Sequence, residues 1–580
     1  MAWIRKTSHG AGPQSLRRKI AFGLLVTAGL LSFRPLPVAA EDKTADSEYF
    51  DIIRSIDLLG DVYREVSKNY VDNVNVSALM YSGIDGMLRT LDPYSVFLDQ
   101  ESAEELDEHT TGQYVGVGVS IMSIDGKFYV STVNDGYSAS RAGLRVGDRI
   151  LSVNGLDTSK NTPDAIRTAI KGDVGTTVTM VLERLGRQAS FTVKLPREDV
   201  QVSTIELQAL IGDVGYIRME SFGTRSGREL REALLALRRQ SAKRQQPMKG
   251  VILDLRNNPG GLLNAAVEVA SLFAPKGSTV VSIKGRSPEM SKTYVTESDP
   301  VDTTIPLILL INEQSASASE IVSGFVQDLD RGIVLGSRSF GKGLVQSVIR
   351  ISYDSSLKLT IAKYYTPSGR LIQKPFRPMN SKRPVVSASR DGDAATPFRT
   401  RGGRTVYGGG GISPDIEVRE PELPPYIEAL KRKGLLFLYA NEVVAAIPVK
   451  PTQPFVRQKL LESFESFLRR QKFSYTSEAE RNLNNLMGSI KSINPELRKQ
   501  ASEHLPVLQA DVDLARNEEI AGVSDALASA LEVEILRHYD LKSSRLRALQ
   551  DDLAVTRAVS LFSDLALYNE ILQPRQQVAN

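Results

Sequence analysis

Apolar positions near the start of the folded region recur with the spacing of an α-helix. The stretch "YFDIIRSIDLLGDVYREVSKNY" places six apolar residues on one face, namely Phe50, Ile53, Ile56, Leu59, Val62 and Val66. Pro93 in "DPYSVFL" interrupts this spacing, because a proline inside a helix usually kinks or breaks it. The pattern therefore predicts a helical N-terminal region over residues 41–110.

Short alternating segments and glycine turns replace the helical pattern over residues 111–199. The stretch "GQYVGVGVSIMSIDGKFYVSTV" alternates and contains Asp125-Gly126, a pair typical of hairpin turns. A short helical pattern, "TPDAIRTAIKG", follows, and two further strand patterns flank Gly186. These features predict a compact β-rich module.

Buried strand patterns alternate with helical patterns over residues 200–424, which is typical of an α/β core. Within it, residues 374–410 are rich in Arg, Ser and Gly and have no periodicity, so we interpret them as a long surface insertion. Residues 425–580 are helical in pattern, and we expect structural or oligomerising helices there. The predicted fold class is multidomain α+β, with a β-rich module and helical regions at both ends.

The first 40 residues have the order of a secretory signal peptide. The basic residues Arg17–Lys19 precede an apolar run from Ile20 to Phe33, and Val38–Ala40 forms a small-residue cleavage site. A retained membrane anchor is the alternative, but the run is shorter than the roughly 20 residues that a spanning helix needs. We therefore expect cleavage after Ala40, transport across the inner membrane to the periplasm and no stable membrane span.

Composition excludes several function classes. The chain has a formal net charge of +4, but its first 40 residues hold six basic residues and no acidic one. The remainder therefore carries 66 basic and 68 acidic residues, which gives no support for nucleic-acid binding. The chain has no cysteine, and its four histidines, at positions 9, 109, 504 and 538, lack metal-ligand spacing. We expect no disulfide, no metal and no cofactor.

Two junctions in which an apolar strand runs through a turn into a helix carry the candidate chemistry. One contains "NNPGG" and offers backbone N–H groups, and the other contains "SASAS" and offers hydroxyl groups. Sites in α/β sheets form at the carboxyl ends of strands, so convergence of the two turns would supply a nucleophile and oxyanion donors. The alternative is that the serines only cap a helix.

A serine nucleophile needs a base, and no histidine lies between residues 200 and 424. Lys342, between two glycines in "SRSFGKGLVQSV", is the best-placed candidate, and Gln346 could orient its amine. A lysine is an effective base only when burial lowers its pKa, and a solvated surface lysine is the alternative. The stretch "GSRSFGKG" also approaches a phosphate-binding loop, but Gly343 replaces the required hydroxyl residue and strand-like residues follow it.

Several motifs in order resemble those of the carboxyl-terminal processing proteases, also called tail-specific proteases, a family of serine peptidases. The motifs are "DPYSVFL", "YVGVGVSI", "SRAGLRVGDRILSVNG", "ILDLRNNPGGLL", "INEQSASASEIVSG", "GSRSFGKGLVQS" and "YYTPSGRLIQ" with "GISPDIEV". The resemblance covers residues 50–420 and implies a crotonase-like protease core with an inserted PDZ domain. It also implies a serine endopeptidase that processes or degrades proteins from their C-terminal tails.

The resemblance implies roles for individual residues. Ser317, the middle serine of "SASAS", matches the family nucleophile. Lys342 matches the general base, and Gln346 matches the residue that positions this base. These three residues form the expected Ser-Lys dyad and its support.

Backbone groups implied by the same resemblance complete the site. The N–H of Ala318 and that of Gly260 or Gly261 would form an oxyanion hole. In the PDZ domain, the N–H groups near Val117 and Gly118 would bind a terminal carboxylate.

The partners implied are protein substrates bound by their C-termini, an adaptor or activator protein, and a second copy of the chain through its helical termini. Lys171 is the candidate for a basic residue that links the PDZ domain to the core. The rival function class is a catalytically silent PDZ scaffold that binds protein C-termini.

Overall fold

A computed structural model describes residues 43–376, 396–490 and 495–574 of the chain. The predicted signal peptide and residues 377–395 of the predicted insertion lie outside these ranges. The described residues divide into two compact units, the first ending at Ser82 and the second beginning at Gly83. No helix within the described ranges is long and apolar enough to cross a membrane.

The first unit is helical, as its apolar spacing predicts. It contains α1 (Lys43–Asn69) and the start of α2 (Val76–Leu88), and the Tyr63 hydroxyl donates a hydrogen bond to the Val76 carbonyl at 2.8 Å. Eight large apolar residues of α1 are exposed, namely Tyr49, Phe50, Ile52, Ile53, Ile56, Leu58, Leu59 and Val62, whereas Val66 is half-buried. This helix therefore presents a row of apolar side chains to its surroundings.

The second unit begins with a short strand and a helix, and then forms the β-rich module. The elements are β1 (Val96–Leu98), α3 (Gln100–Thr111), β2 (Gln113–Gly116), β3 (Val119–Ile124), β4 (Lys127–Val133), α4 (Ser138–Arg141), β5 (Arg149–Val153), β6 (Leu156–Asp157), α5 (Pro163–Ile170), β7 (Thr177–Glu183), β8 (Phe191–Pro196) and β9 (Glu198–Gln201). The module sheet has the order β3-β4-β5-β7-β8, with β6 on β5. Strand β2 precedes this sheet in the sequence and β9 follows it, and these two strands pair with each other. The chain therefore enters and leaves the module at the same place. Among the described residues, β3 pairs only with β4 and has one open edge.

The α/β core follows the module. Its elements are β10 (Ile205–Ile211), β11 (Val214–Met219), α6 (Ser226–Lys243), β12 (Gly250–Asp254), α7 (Leu263–Ser271), β13 (Thr279–Gly285), β14 (Lys292–Val295), β15 (Leu307–Ile311), α8 (Ala318–Asp328), β16 (Ile333–Gly336), β17 (Leu344–Arg350), β18 (Ser356–Tyr365), β19 (Pro397–Arg399), β20 (Thr405–Tyr407) and β21 (Ile416–Glu417). One sheet has the order β10-β11-β12-β15-β16-β21 and is parallel except between β10 and β11. A second sheet has the order β1-β18-β13-β14, with β17 on β18.

The continuous apolar sequences of β12 and β15 follow from this topology, because helices cover both faces of the six-stranded sheet. Among its described residues, the predicted insertion contains one regular feature that its sequence pattern did not indicate. This feature is the hairpin of β19 and β20.

The C-terminal region is helical, as predicted, but its last helices do more than extend the chain. The elements are α9 (Pro425–Arg432), α10 (Leu435–Ala446), α11 (Arg457–Arg470), α12 (Glu478–Ile490), α13 (Pro495–Gly522), α14 (Ser524–Tyr539), α15 (Leu541–Leu549), α16 (Leu553–Ser563) and α17 (Leu565–Ile571). Helices α6, α7 and α8 cover one face of the six-stranded sheet, and α16 and α17 cover the other. Phe562 is 1% exposed in this second layer, and burial of such a side chain contributes roughly 1.5–3 kcal/mol. The C-terminal helices are therefore part of the core.

Candidate active site

The two junctions predicted to carry chemistry meet in the structure. Strands β12 and β15 are parallel neighbours, so their carboxyl ends lie side by side. The Ala316 N–H donates to the Asn258 carbonyl at 3.1 Å. A Cβ atom added at Gly260 would lie 2.8 Å from the Ser317 Cβ and 2.9 Å from the Ala318 nitrogen. The glycine turn therefore lies directly against the serine turn.

Ser317 occupies a strained turn between β15 and α8. Its backbone has φ 55° and ψ −112°, a conformation that residues with a Cβ rarely adopt. Such conformations cost roughly 1–3 kcal/mol and persist only where surrounding contacts hold them. Ser317 is partly buried, whereas its neighbours Ser315 and Ser319 are fully buried and donate to the carbonyls of Leu255 and Asn258. Of these three serines, only Ser317 is open to a ligand.

Glu320 holds the serine turn and the lysine turn together. Its buried carboxylate accepts from the Ser317 N–H at 2.8 Å and the Lys342 N–H at 2.9 Å through one oxygen. The other oxygen accepts from the Ser339 hydroxyl at 2.5 Å and the Gly341 N–H at 2.7 Å. Burial raises the pKa of this carboxyl, and the four hydrogen bonds oppose that shift. The sequence analysis missed Glu320, although Ser317-x-x-Glu320 has the spacing of a capping box.

Tyr364 provides a second link between the two turns. Its hydroxyl lies 3.2 Å from the Ser317 carbonyl oxygen and also contacts the Lys342 carbonyl oxygen. Burial raises the pKa of Tyr364 well above its usual value, so the hydroxyl stays protonated as a donor.

Lys342 and Gln346 form a hydrogen-bonded pair on the second sheet. The Lys342 Nζ donates to the Gln346 Oε1 at 2.9 Å, and the Gln346 Nε2 donates to the Tyr94 carbonyl at 2.5 Å. The Lys342 Nζ also lies 4.8 Å from the centre of the Tyr94 ring. No hydrogen bond joins the Lys342 Nζ to the Ser317 Oγ in this arrangement. Tyr94 belongs to "DPYSVFL", a motif to which the sequence analysis assigned no role in the site.

The environment of Lys342 shifts its protonation equilibrium toward the neutral form. Burial, together with the nearby positive charge of Lys358, lowers the pKa of Lys342 to about 8. The carboxylates of Asp92 and Glu320 oppose this shift but do not cancel it. A substantial fraction of Lys342 is therefore neutral in mildly alkaline solution, which the sequence analysis required of a lysine base.

The two candidate glycines near Ser317 differ in whether their backbone N–H is free to bind an oxyanion. The Gly260 N–H donates to the Asn258 Oδ1 at 2.9 Å and is therefore occupied. Within the described residues, the N–H groups of Gly261 and Ala318 have no hydrogen-bond acceptor. Asn258 is fully buried, and its Nδ2 donates to the Met219 carbonyl at 2.8 Å. It thereby fixes the shape of the glycine turn.

The residues predicted to bind a terminal carboxylate lie in the β-rich module, whereas Ser317 lies in the α/β core. Val117 and Gly118 form the buried turn between β2 and β3. A Cβ at Gly118, which has φ +78°, would lie 2.6 Å from the Tyr137 Cβ. In the described parts of the chain, neither Val117 nor Gly118 uses its N–H in a hydrogen bond.

The contact of Lys171 differs from the prediction. Its Nζ pairs with Glu108 of α3 at 2.7 Å, and the nearby Arg167 approaches Glu105 of the same helix at 3.6 Å. Lys171 therefore links the module to the helix that precedes it and not to the α/β core.

The described residues contain no group of three or more Asp, Glu, His or Cys side chains arranged to hold a metal ion. The candidate site offers a serine hydroxyl, a lysine amine and backbone N–H groups, which are the kinds of group that acyl transfer uses.

Comparisons with known proteins identify the family of the region that holds this candidate site. Residues 213–378, which hold both junctions and Lys342, match peptidase family S41. The carboxy-terminal-processing protease of Bartonella bacilliformis is 34% identical over 356 residues, which are 61% of this chain and 80% of that protein. The chain belongs to the carboxy-terminal-processing protease family. It is accordingly a serine-type peptidase, and the silent-scaffold alternative is not favoured.

Other comparisons cover further parts of this carboxy-terminal-processing protease. Residues 129–184 match a PDZ domain, residues 36–102 match the N-terminal domain of the activating protease CtpB, and residues 426–562 match the C-terminal helical domain of a probable PDZ-protease. The predicted boundaries between these regions stay predictions.

More distant similarities extend beyond the Bartonella relative. A probable CtpA-like serine protease of Staphylococcus aureus is 34% identical over 55% of this chain and 62% of that protein. The solved photosystem II D1 C-terminal processing protease is 26% identical and covers 64% of this chain and 95% of that one, with a TM-score of 0.32. The family assignment rests on the sequence relatives.

Proposed function

We propose that the protein is a periplasmic serine endopeptidase that engages substrates by their C-terminal tails and cleaves them with a Ser-Lys dyad. Ser317 is the nucleophile, Lys342 is the general base and Gln346 positions the base. The observation that carries this proposal is the single buried carboxylate of Glu320, which holds the Ser317 turn and the Lys342 turn together. The lowered pKa of Lys342 gives that pair its chemistry.

The reaction begins with proton transfer. The neutral Lys342 Nζ accepts the proton of the Ser317 hydroxyl. This transfer requires Nζ to move from its present position beside Gln346 to within hydrogen-bond distance of the Ser317 Oγ. The Ser317 Oγ attacks the scissile carbonyl carbon, and the N–H groups of Ala318 and Gly261 bind the oxyanion that forms. The protonated Lys342 then gives its proton to the leaving amine as the C–N bond breaks.

Hydrolysis of the acyl-enzyme uses the same groups in reverse. Neutral Lys342 takes a proton from water, the hydroxide attacks the ester carbonyl, and the Ser317 oxygen leaves with the proton from Lys342. Gln346 keeps the amine oriented through its Oε1, and its own position is set by the Tyr94 carbonyl.

The pH dependence of activity is expected to report the pKa of Lys342. Because the base acts when neutral, kcat/KM of the wild type is expected to rise with pH through a midpoint near 8. Lys358→Met removes a positive charge that lowers this pKa, so the midpoint is expected to move to higher pH, toward ordinary lysine. The measurement is kcat/KM for a peptide substrate across pH 6–10.

Lys363→Met is the matched control for that shift. Lys363 lies on the same strand, β18, but its charge does not contribute to the lowered pKa of Lys342. The profile of this variant is expected to follow the wild type. Equal shifts in both variants, or a shift of the Lys358→Met profile to lower pH, would contradict the assignment of Lys342 as the titrating base.

Tail recognition belongs to the PDZ domain in this proposal. Its strand β3 has an open edge on which an extended tail can pair, and the free N–H groups of Val117 and Gly118 lie at the start of that strand. A substrate with a free C-terminal carboxylate is therefore expected to have a higher kcat/KM than the same substrate with a C-terminal amide.

A pair of glycine variants tests the place of binding. Gly118→Ala introduces a methyl group against Tyr137 in the carboxylate turn, and we expect it to raise KM for the free-tail substrate about tenfold. Gly126→Ala, at the tip of the β3–β4 hairpin, has a similar φ of +73° and no atom within 4 Å, so it shares the backbone strain without the clash. If the amide and carboxylate substrates are cleaved equally well by all three proteins, the PDZ domain does not read the tail carboxylate.

The proposal also covers the location, the self-association and the fold class of the protein. Export to the periplasm is supported by the order of residues 1–40 and by the bacterial family. Self-association through the helical ends is supported by the exposed apolar row of α1. The crotonase-like assignment of the core is supported by its mostly parallel sheet with helices on both faces. An adaptor or activator protein stays an expectation from the family resemblance.

A further inference from the structure

A buried charge cluster joins the end of β12 to the C-terminal helices. Arg256, which is 5% exposed, donates to Asp254 at 2.5 Å and to Asp552 at 2.7 Å through the same nitrogen. A second guanidinium nitrogen donates to Asp552 at 3.2 Å and to Glu420 at 2.9 Å. Asp552 therefore binds Arg256 through both of its carboxylate oxygens, from a position 296 residues away.

Arg256 is at the start of the turn that leads into the glycine loop of the active site. The Arg256 N–H donates to the Asp254 Oδ1 at 3.0 Å, so the same carboxylate forms hydrogen bonds with both the main chain and the side chain of Arg256. The next residue, Asn257, has φ 62°, a conformation that residues other than glycine rarely adopt. Asn258 then fixes the Gly260 N–H. A displacement of the Arg256 side chain therefore acts on the loop that faces Ser317.

The charges in this cluster depend on one another because water is excluded. Asp254 is fully buried, which on its own would raise its pKa, but the hydrogen bonds and charge of Arg256 outweigh burial and hold the pKa below its usual range. Its second oxygen also accepts from the Tyr216 hydroxyl at 2.7 Å. Loss of the Asp552 charge leaves the Arg256 cation with one buried carboxylate and one half-exposed one, from Glu420. A buried cation that loses a paired anion is driven to find another partner or to move.

Asp552 has a second task that can be separated from the first. It is the N-cap of α16, and its Oδ1 accepts from the Val555 N–H at 2.9 Å. An asparagine caps a helix as well as an aspartate does but carries no charge, whereas glutamate keeps the charge and is absent from the set of strong caps. Substitutions at Asp552 can therefore remove either task and leave the other.

We propose that Asp552 is a positioning residue for catalysis, through which the C-terminal helices hold Arg256 and thereby the oxyanion-forming glycine turn. This inference rests on the proposed function, because it needs Ser317 and the glycine turn to act as described. It makes the C-terminal helical region a part of the catalytic apparatus and not only a cover for the sheet.

The test measures reaction of Ser317 with a fluorophosphonate probe in the full-length protein. The amplitude of labelling counts folded sites, whereas the rate constant reports how well a folded site stabilises the developing oxyanion. Asp552→Asn is expected to lower the rate constant and kcat about tenfold, with KM for a peptide substrate unchanged, because small displacements of reacting groups have large effects on rate. Asp551→Asn is the matched control, since Asp551 pairs with Arg547 and not with Arg256, and it is expected to keep the wild-type rate.

Asp552→Glu completes a crossed design. It keeps the charge beside Arg256 and weakens the cap, so it is expected to lower the melting temperature while the labelling rate stays close to wild type. Asp552→Asn keeps the cap and removes the charge, so it is expected to lower the labelling rate of the sites that remain folded, in addition to any decrease in melting temperature from the weakened ion pair. If Asp552→Asn and Asp551→Asn label at equal rates, or if both substitutions at Asp552 alter only the amplitude and the melting temperature, Asp552 has a purely structural role.

Failure of the proposed function gives a different result from failure of this inference. If the wild type is not labelled at Ser317, or if Ser317→Ala is labelled as fast as the wild type, the assignment of the nucleophile is wrong and the positioning role falls with it. If the wild type is labelled at Ser317 and the Asp552 variants do not separate, only the positioning role is wrong.

Discussion

Ser317→Ala and Lys342→Met are each expected to abolish cleavage of an unfolded protein substrate, with kcat reduced by about 10⁴-fold or more. The first removes the oxygen that forms the acyl-enzyme. The second removes the amine that hydrogen-bonds Gln346 beside the Ser317 turn, so the serine hydroxyl loses its proposed proton acceptor. Because the two groups act as a unit, the double variant is expected to be no worse than either single one.

The measurement is single-turnover cleavage of a denatured substrate with a free C-terminus, together with fluorophosphonate labelling mapped by mass spectrometry. Circular dichroism and thermal melting check that both variants are folded. Cleavage by both variants at the wild-type rate would show that the dyad is wrongly assigned. A wild type that binds tails but cleaves nothing would return the protein to the class of silent PDZ scaffolds.

Gly260→Ala is expected to reduce kcat by about 10²–10³-fold, the range for loss of an oxyanion donor. The added Cβ would lie 2.9 Å from the Ala318 nitrogen and 2.8 Å from the Ser317 Cβ, where a substrate oxygen has to fit. The carbonyl of Ala316, only 2.6 Å from this atom, is main chain and cannot swing aside as a flexible side chain would. The expected loss is in kcat for peptide cleavage and in the fluorophosphonate labelling rate.

Gly277→Ala separates the clash from backbone strain. Gly277 has φ +86°, close to the +97° of Gly260, but no atom lies within 4 Å of its added Cβ. Both variants therefore bear the cost of an alanine in a left-handed conformation, and only Gly260→Ala fills the space beside Ser317. Similar kcat values for the two variants would mean that the space beside Gly260 is not used in the reaction.

Much of the fold is readable from local patterns. The helical spacing of α1, the Asp125-Gly126 hairpin and the apolar strands β12 and β15 are present as predicted. These features depend on neighbours within a few residues, because periodicity, turn geometry and caps are properties of short segments. The "NNPGG" and "SASAS" turns could be recognised as two similar junctions for the same reason, because each is defined by a short local pattern.

The contacts that build the site from distant segments were not readable. Glu320 has a local signal as a capping-box residue, but its bonds to Ser339, Gly341 and Lys342 depend on a turn that arrives from another strand. Tyr94 reaches Gln346 only because β1 pairs with β18 across the module inserted between them. The prediction that Lys171 contacts the core was wrong, because nothing in the sequence identifies Glu108 as its partner. Each pairing joins charges or polar groups whose partner is one of many in the sequence.

The sequence by itself determined the helical and strand segments, the two candidate turns and, through its motifs, the proposal of Ser317 and Lys342 as the dyad. Tertiary structure decided which glycine N–H is free, how far burial and Lys358 lower the pKa of Lys342, and that Asp552 binds Arg256. The physical reason is range. Backbone propensity acts over a few residues. Burial, pKa and ion pairing depend on which surfaces cover a group, and these surfaces come together only when β12, β15 and α16 pack against one another.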